Sequence, residues 1–229
     1  MRALLVLVLV LGALFVVADR MGVAVAEDRV AEQIAEQGGL PGPPEVDIAG
    51  FPFLTQALSG KYDEVRIALT AADLGQPDGT DADVALRGAE VPLSDVLDGS
   101  VQQVPVDRVD GTATLSYALL SAQLGGDTRL EREGDGLRIT RTVELLGQQV
   151  PLTAAGDVTV EGSDLVVHVE EAAGAGVELP DVVLDQAVDL LDLRYTVPPL
   201  PFGLQLTDVR PADDGVVLDV EATGTVIGG

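Results

Sequence analysis

The sequence contains no cysteine and no tryptophan, and its only histidine is His168. Without cysteine the chain has no disulfide, thiolate zinc site, cysteine nucleophile or lipid-modified cysteine. A zinc hydrolase or a serine triad would depend on His168, because both chemistries use histidine. No G-x-S-x-G elbow, P-loop lysine motif or G-x-G-x-x-G fingerprint is present. These absences argue against the common hydrolases and against nucleotide-dependent enzymes.

Basic residues are also scarce. Thirteen Lys and Arg stand against 38 Asp and Glu, which gives a formal net charge of -25. Such a charge repels nucleic acid and anionic surfaces, so we expect no nucleic-acid partner. Hydrophobic residues make up 47% of the chain, whereas disordered acidic chains lack them. The 229 residues therefore predict one sizeable folded domain or two small ones.

The longest apolar run lies at the N-terminus, where residues 3–18 are uninterrupted by charge. A helix of this length covers about 24 Å, slightly less than the roughly 30 Å of a bilayer core. The basic start and the A-x-A pattern at residues 24–26 are typical of a signal peptide, whereas a retained run would be a membrane anchor. Both interpretations stay open, and both place the rest of the chain outside the cytoplasm.

The boundary of this segment is predicted at the break that follows Asp19 and Arg20. We expect residues 1–22 to be a signal peptide or membrane anchor and residues 23–229 to form the folded domain. A chain that lacks residues 1–22 is therefore expected to fold and to be soluble. The expected location is the cell envelope, as an anchored or a secreted protein.

Periodicity beyond this segment predicts an α+β fold. Apolar residues at helical spacing predict a helix over 24–37 that Gly38 and Gly39 end. Alternation, as in Val65, Ile67 and Leu69, predicts strands with one buried face. The other predicted elements are strands at 82–87, 104–109, 128–133, 137–145, 150–160, 164–171, 204–210 and 215–222, and short helices at 93–98, 115–123 and 181–191.

Carboxylate side chains are the remaining candidates for catalytic residues. Pairs such as Asp81 with Asp83 and Asp213 with Asp214 could serve a glycosidase, which needs two acids at a suitable separation. With 38 acidic residues, however, close pairs arise in ordinary solvated loops. The acidic loop at 78–83 could bind calcium weakly, but it lacks the EF-hand spacing. We therefore predict no catalytic residues, no metal site and no cofactor.

His168 lies in a run that is predicted as a strand, on the face shared by Val166 and Glu170. A single histidine has no partner set for catalysis. We expect an exposed histidine or one that pairs with a glutamate.

Large apolar rings lie next to prolines. Outside the N-terminal run, Phe51 and Phe53 flank Pro52, and Phe202 follows Pro201. Proline stiffens a loop and removes an amide donor, so such loops can present fixed apolar surfaces. The rings either close the ends of the core or form the mouth of an apolar pocket or a surface that enters a bilayer.

Several blocks of sequence resemble one family. They are Val46–Gln56, which contains GFPFLTQ, then Gly60–Tyr62, Val91–Asp95, Val104–Arg108, Gly111–Tyr117 and Leu200–Leu204. Together they resemble the LmeA-like phospholipid-binding family of actinobacterial cell-envelope proteins, over nearly the whole chain. The GFPFLTQ run is the specific part, and the other blocks are short.

This resemblance implies a non-enzymatic protein that binds phospholipid in the cell envelope. The implied fold is similar to tubular lipid-binding proteins, in which a curved, mostly antiparallel sheet wraps one or more helices around an acyl-chain groove. For the best-known relatives it also implies support of lipomannan and lipoglycan elongation. The predicted lipid-binding residues are those of the two proline-flanked segments: Phe51, Pro52, Phe53, Leu54, Leu200 and Phe202.

The net charge of -25 disfavours binding to anionic lipid surfaces. Lipid binding would therefore come from acyl-chain burial, at about 0.8 kcal/mol per CH₂, with arginines near the phosphate. The candidates are Arg66, Arg87, Arg108, Arg138 and Arg141, and of these Arg66 and Arg108 are the predicted headgroup residues. Each of them equally fits an ordinary surface ion pair.

Two other functions stay open at this point. One is a carboxylate-dependent hydrolase or glycan-processing enzyme, and the other is a structural accessory of a membrane glycosyltransferase. The preferred hypothesis is a protein that holds or shuttles a phospholipid or glycolipid and is attached to the cytoplasmic membrane by its N-terminal segment.

Overall fold

The computed structural model describes residues 1–98, 101, 103–124, 128–145, 148–162, 164–174, 193–196, 200 and 203–228. The helix predicted at 181–191 and the ring of Phe202 lie outside these residues.

The described chain is α+β, as predicted. Its helices are α1 (Arg2–Gly38), α2 (Phe53–Ser59), α3 (Ala71–Leu74), α4 (Leu93–Asp98) and α5 (Tyr117–Leu124). Its strands are β1 (Glu45–Ala49), β2 (Lys61–Leu69), β3 (Asp81–Glu90), β4 (Val104–Ser116), β5 (Thr128–Glu133), β6 (Gly136–Leu145), β7 (Gln148–Glu161), β8 (Asp164–Gly174), β9 (Leu193–Thr196), β10 (Gln205–Pro211) and β11 (Gly215–Ile227).

The strands form two sheets. One has the order β1-β2-β3-β4-β11-β10 and the other the order β5-β6-β7-β8-β9. β1 pairs antiparallel with β2, and β10 pairs antiparallel with β11. All neighbours in the second sheet are antiparallel as well. The predicted mostly antiparallel arrangement is therefore confirmed.

The chain divides into two compact units. The first unit comprises Met1–Leu69, Asp83–Asp110 and Ala222–Gly229, and the second comprises Thr70–Ala82 and Gly111–Glu221. Each unit has its own buried residues, and each is described by itself below.

In the first unit, β1 was not among the predicted strands, and it has the alternating burial of a half-buried strand. Val46 and Ile48 are buried, and they lie opposite Ile67 and Val65 of β2. The edge of β1 is covered by α1, because the Ile48 amide donates a hydrogen bond to Glu27 Oε1 at 2.9 Å. A covered edge strand leaves fewer unpaired backbone groups for association with other chains.

α1 is one continuous helix, which joins the apolar run to the helix predicted at 24–37. It ends where the glycines were expected, with Gly39 in the left-handed conformation at φ 62°. Its second half packs against the first unit: Val23 and Ala31 are buried, and Gln33 Nε2 donates to the Val101 carbonyl at 3.4 Å. The predicted boundary at residue 22 thus lies inside this helix, and that boundary stays a prediction.

The segment around Pro52 differs from the loop expected there, because helix α2 begins at Phe53. Pro52 occupies the N-cap position with extended backbone angles, φ -79° and ψ 137°. A proline at a helix start loses nothing, since its missing N–H would have no intrahelical partner there. Pro52 cannot cap the helix, however, because it has no polar side chain.

Asp19 supplies the missing cap from another helix. Its side chain is fully buried, and its Oδ1 accepts a hydrogen bond from the Leu54 amide at 2.9 Å. Arg20 Nη2 donates to Asp19 Oδ2 at 2.8 Å. The first N–H groups of a helix have no intrahelical acceptors, so a carboxylate here satisfies one of them and meets the positive end of the helix dipole. Asp19 therefore joins α1 to α2.

The second unit has a core that includes α5. Leu137, Val209 and Val216 form a buried cluster, and Tyr117 and Leu120 of α5 pack against it. Helix α5 was predicted over 115–123 but begins at Tyr117, because β4 continues through Ser116. The Ser116 hydroxyl then caps the helix by accepting a hydrogen bond from the Leu119 amide at 3.2 Å.

Replacement of Asp19 tests the cap. Asp19→Ala removes a buried acceptor and leaves the Leu54 amide unpaired, so we expect a loss of about 1 to 2 kcal/mol of stability. The matched control is Asp28→Ala, at an exposed position of the same helix. Thermal unfolding of the full chain in detergent measures both variants. Equal melting temperatures for the two would contradict a stabilising role for Asp19.

Candidate functional site

The GFPFLTQ run lies at the junction of α1, β1, α2 and β2. Gly50 has φ 102°, which favours glycine, and a Cβ built there would lie 2.5 Å from Gln56 Nε2. Gln56 is buried; its Nε2 donates to the Ala49 carbonyl at 3.1 Å, and its Oε1 accepts from the Asp63 amide at 2.9 Å. Gly50 and Gln56 thus act within the protein, by joining the end of β1 to the start of β2.

Phe53 belongs to the core of the first unit. It is 5% exposed, and its ring centroid lies 6.3 Å from that of Tyr62. Gly22 of α1 lies against Phe53 and Leu54, since a Cβ at Gly22 would be 3.5 Å from Phe53 Cδ1. Pro52 and Leu54 are both partly buried. Phe53 and Leu54 therefore hold α2 against α1, and Phe53 also packs against Tyr62 of β2. Contact of these three predicted site residues with lipid stays a prediction.

Phe51 differs from its neighbours because its side chain points to solvent. It is 60% exposed. The Arg20 guanidinium carbon lies 5.5 Å from the centre of the Phe51 ring, and Arg20 Nη2 is 3.5 Å from the Gly50 carbonyl oxygen. A cation over an aromatic face is attracted by the ring quadrupole. Arg20 thus orients an exposed ring that no core contact requires.

The structure describes the four predicted site residues at 51–54 in full, and it says less about Leu200 and Phe202. Leu200 is partly buried and belongs to the second unit. Phe202 lies outside the described residues. That Leu200 and Phe202 bind lipid therefore stays a prediction.

The two headgroup candidates belong to a row of ion pairs on β1 to β4. Arg66 pairs with Glu64 and, at 3.9 Å, with Asp47. Arg87 Nε lies 3.1 Å from Glu64 Oε2, and Arg87 also pairs with Asp110. Arg108 Nε lies 2.7 Å from Asp110 Oδ1. Each of these three arginines thus has at least one carboxylate partner.

This row changes what Arg66 and Arg108 can do. The pKa of the Glu64 carboxyl is lowered, chiefly by the hydrogen bond from Arg87, while partial burial opposes the shift and Arg66 adds to it. Glu64 therefore stays ionised and keeps its hold on both arginines. A lipid phosphate would have to compete with these carboxylates for Arg66 or Arg108, and their headgroup role stays a prediction.

A shallow cavity of about 550 Å³ lies in the second unit, lined by Tyr117, Glu131, Arg132, Gly134 and Asp213. Arg132 Nη1 lies 2.7 Å from Asp213 Oδ1 across it. The Tyr117 hydroxyl donates to the Ala212 carbonyl at 2.8 Å, and burial raises the pKa of that hydroxyl. Acyl-chain sites are mostly apolar. This charged, open cavity therefore does not have the chemistry of an acyl groove.

The carboxylates considered for enzymatic chemistry have ordinary partners where the structure describes them. Asp81 Oδ2 accepts a hydrogen bond from Thr114 Oγ1 at 3.1 Å, and Asp213 pairs with Arg132. Across the described residues, no group of three or more His, Cys, Asp or Glu side chains is arranged to hold a metal ion.

His168 is an exposed residue of β8, and its Nε2 lies 3.4 Å from Glu161 Oε1. The prediction of an exposed or glutamate-paired histidine is confirmed. This geometry is that of a surface pair, which contributes little to stability.

We expect His168→Ala to change the stability by less than about 0.5 kcal/mol, as other exposed substitutions do. Lipid content of the purified protein should also be unchanged. Thermal melts and lipid extraction of the variant check both expectations. A folded variant that loses function would instead support a hydrolase.

Asp19 and Arg20 are the residues whose importance the sequence did not reveal. They were interpreted only as the polar end of an apolar run. One signal in the sequence could have indicated Asp19: it is a charged residue inside a continuous helical pattern. A charged residue that is buried in such a helix needs a partner.

One family model matches the chain, and its description is LmeA-like phospholipid-binding; the match covers residues 17–221. No curated protein and no solved structure matches the sequence. The matched region begins just before Asp19 and includes the whole junction around Gly50–Gln56. The chain therefore belongs to the LmeA-like phospholipid-binding family.

Proposed function

We propose that this protein is a non-enzymatic lipid-binding module of the cell envelope that holds or passes on a phospholipid or glycolipid. The observation that carries the proposal is the family match over residues 17–221. The surface pairing of His168 with Glu161 agrees with a binding role, since this pair has the geometry of neither a triad nor a metal site.

The energetics favour recognition of the acyl chains over recognition of the headgroup. Each buried CH₂ contributes about 0.8 kcal/mol, so one long acyl chain can provide most of the binding free energy. The net charge of -25 gives little general attraction for an anionic headgroup. The arginines at β1 to β4 already have carboxylate partners. We therefore expect selection of lipid by chain more than by headgroup charge.

Phe51 is the residue that we place at the point of lipid entry. Among the described residues of the GFPFLTQ run, its ring is the one that is mostly exposed, whereas Phe53 is buried. A single exposed apolar residue is ordinary on a protein surface, and what distinguishes Phe51 is the Arg20 guanidinium that lies over its ring. A lipid that enters beside Phe51 would cover this ring.

Support of lipoglycan elongation is a finer proposal that rests on the resemblance to envelope proteins of this family. In that role the protein would supply or retain a lipid substrate for a membrane glycosyltransferase.

A hydrolase is the competing proposal, and it predicts a different outcome. A binding protein returns added phospholipid unchanged in mass, whereas a hydrolase releases a product. Mass spectrometry of the lipid after incubation with the full chain separates the two.

Three substitutions separate lipid contact from core packing. Phe53→Ala should cost about 3 to 5 kcal/mol, because it removes a buried ring. Phe51→Ala should leave the melting temperature nearly unchanged but lower the lipid that copurifies with the full chain. Leu58→Ala is the matched control, since Leu58 is a 78% exposed apolar residue of α2; it should change neither quantity.

Lipid that surrounds the N-terminal helix in detergent contributes equally to all three variants, so the differences report on the Phe51 site. Lipid content in Phe51→Ala equal to that in Leu58→Ala would contradict lipid entry at Phe51. Release of a lipid product by the unsubstituted chain would contradict the binding function as a whole.

A further inference from the structure

The two halves of α1 have opposite environments. The residues before Asp19 are almost entirely uncovered, and the large apolar ones from Leu4 to Val17 are 43 to 66% exposed. The helix is long and apolar enough to cross a membrane, and only 6% of its most apolar 18-residue window is buried. Beyond Asp19 the helix packs against the first unit. Asp19 therefore marks the place where an apolar span meets a folded protein.

Cleavage by a signal peptidase at the A-x-A pattern would remove residues of α1 that contact the folded unit. A chain that began at Glu27 would lack Asp19, which caps α2, and the buried Val23. It would also lack Gly22, which lies against the Phe53 ring. The Leu54 amide would lose its acceptor and Phe53 would lose one of its packing surfaces. The contacts of the first unit thus require residues that a signal peptidase would remove.

The span is short, which places its flanking residues near the lipid headgroups. Sixteen apolar residues cover about 24 Å, against roughly 30 Å of hydrocarbon. A short span draws the residues that follow it toward the membrane interface. Those residues are Asp19, Arg20 and Met21, and the Arg20 guanidinium lies over the ring of Phe51. Phe51 therefore lies beside the residues at which the apolar run ends.

The kind of side chains at this position agrees with the placement. Arginine beside an exposed aromatic ring is typical of residues at the membrane interface, where the ring contacts the acyl boundary and the cation meets phosphate. The chain as a whole is strongly acidic. An anionic membrane surface would repel most of the folded protein, and Arg20 already pairs with Asp19 at 2.8 Å. The contact would therefore rest mainly on the apolar ring of Phe51.

We propose that α1 is retained as an uncleaved membrane anchor, and that the Gly50–Pro52 loop, with Phe51 and Arg20, lies in the headgroup layer of the same bilayer. The partner of this surface is the phospholipid bilayer. Because α1 passes from the span into the folded unit as one helix without a flexible linker, the first unit is held at a fixed height above the membrane. The module then works on lipids of the membrane in which it is anchored, and does not travel as a soluble carrier.

The N-terminus of the mature protein tests retention. The full chain should be expressed with export intact, recovered from membrane and soluble fractions, and measured as intact protein by mass spectrometry. We expect the membrane fraction to contain the chain with residues 1–26 present. A mature protein that begins at Glu27, or elsewhere beyond Asp19, would overturn the proposal.

The position of Phe51 can be measured because the chain has no tryptophan. Full-length Phe51→Trp is reconstituted into vesicles of phosphatidylcholine and phosphatidylglycerol with bromine on the acyl chains close to the headgroup. Leu14→Trp, within the span, is the positive control. Gln37→Trp, an exposed position about 27 Å further along α1 than Asp19, is the negative control.

We expect strong quenching at position 51, comparable with that at position 14, and little at position 37. Quenching at position 51 no greater than at position 37 would overturn the membrane contact. Strong quenching at position 37 would overturn the fixed height, since α1 would then lie along the surface. These outcomes do not depend on whether lipid copurifies with the protein, so a failure here is distinguishable from a failure of the proposed function.

Discussion

The hydrogen bond between the Asp19 carboxylate and the Leu54 amide is the interaction on which the junction depends. A fully buried carboxylate is tolerated only with donors close by, and Leu54 and Arg20 provide them at 2.9 and 2.8 Å. The bond satisfies an N–H group at the start of α2, where Pro52 has no polar side chain to cap the helix. It also determines where α1 leaves the folded unit. Removal of Asp19 would therefore affect both the stability of the unit and the position of the exposed Phe51 ring.

The charged side chains of the first unit are arranged differently from what the net charge alone would suggest. The net charge of -25 is large, yet the arginines of β1 to β4 each have at least one carboxylate partner. A phosphate would have to compete with these carboxylates. Arg20 is also paired, with Asp19 at 2.8 Å, so attraction for a membrane would have to come mainly from apolar surface such as the exposed Phe51 ring. The acidic remainder of the chain would be repelled by anionic lipid.

Local patterns predicted much of the fold. The alternation of Val65 and Ile67 predicted β2, and Gly38–Gly39 correctly marked the end of α1. The sequence did not predict α2, because Pro52 and Gly50 are typical of a loop and the cap that allows a helix lies 35 residues away. A contact between residues so far apart along the chain produces no recognisable pattern in the local sequence. For the same reason Phe51 and Phe53 were grouped as one surface, although one ring is exposed and the other is buried.

Amide hydrogen exchange at Leu54 tests the central claim most directly. The full-length chain in lipid nanodiscs is compared with the chain that begins at Glu27, and the Leu54 amide is followed by NMR. If Asp19 caps α2 and α1 is part of the folded unit, this amide is strongly protected in the full chain and loses most of its protection in the shorter one. Rapid exchange in the full chain, or equal protection in both, would contradict the account.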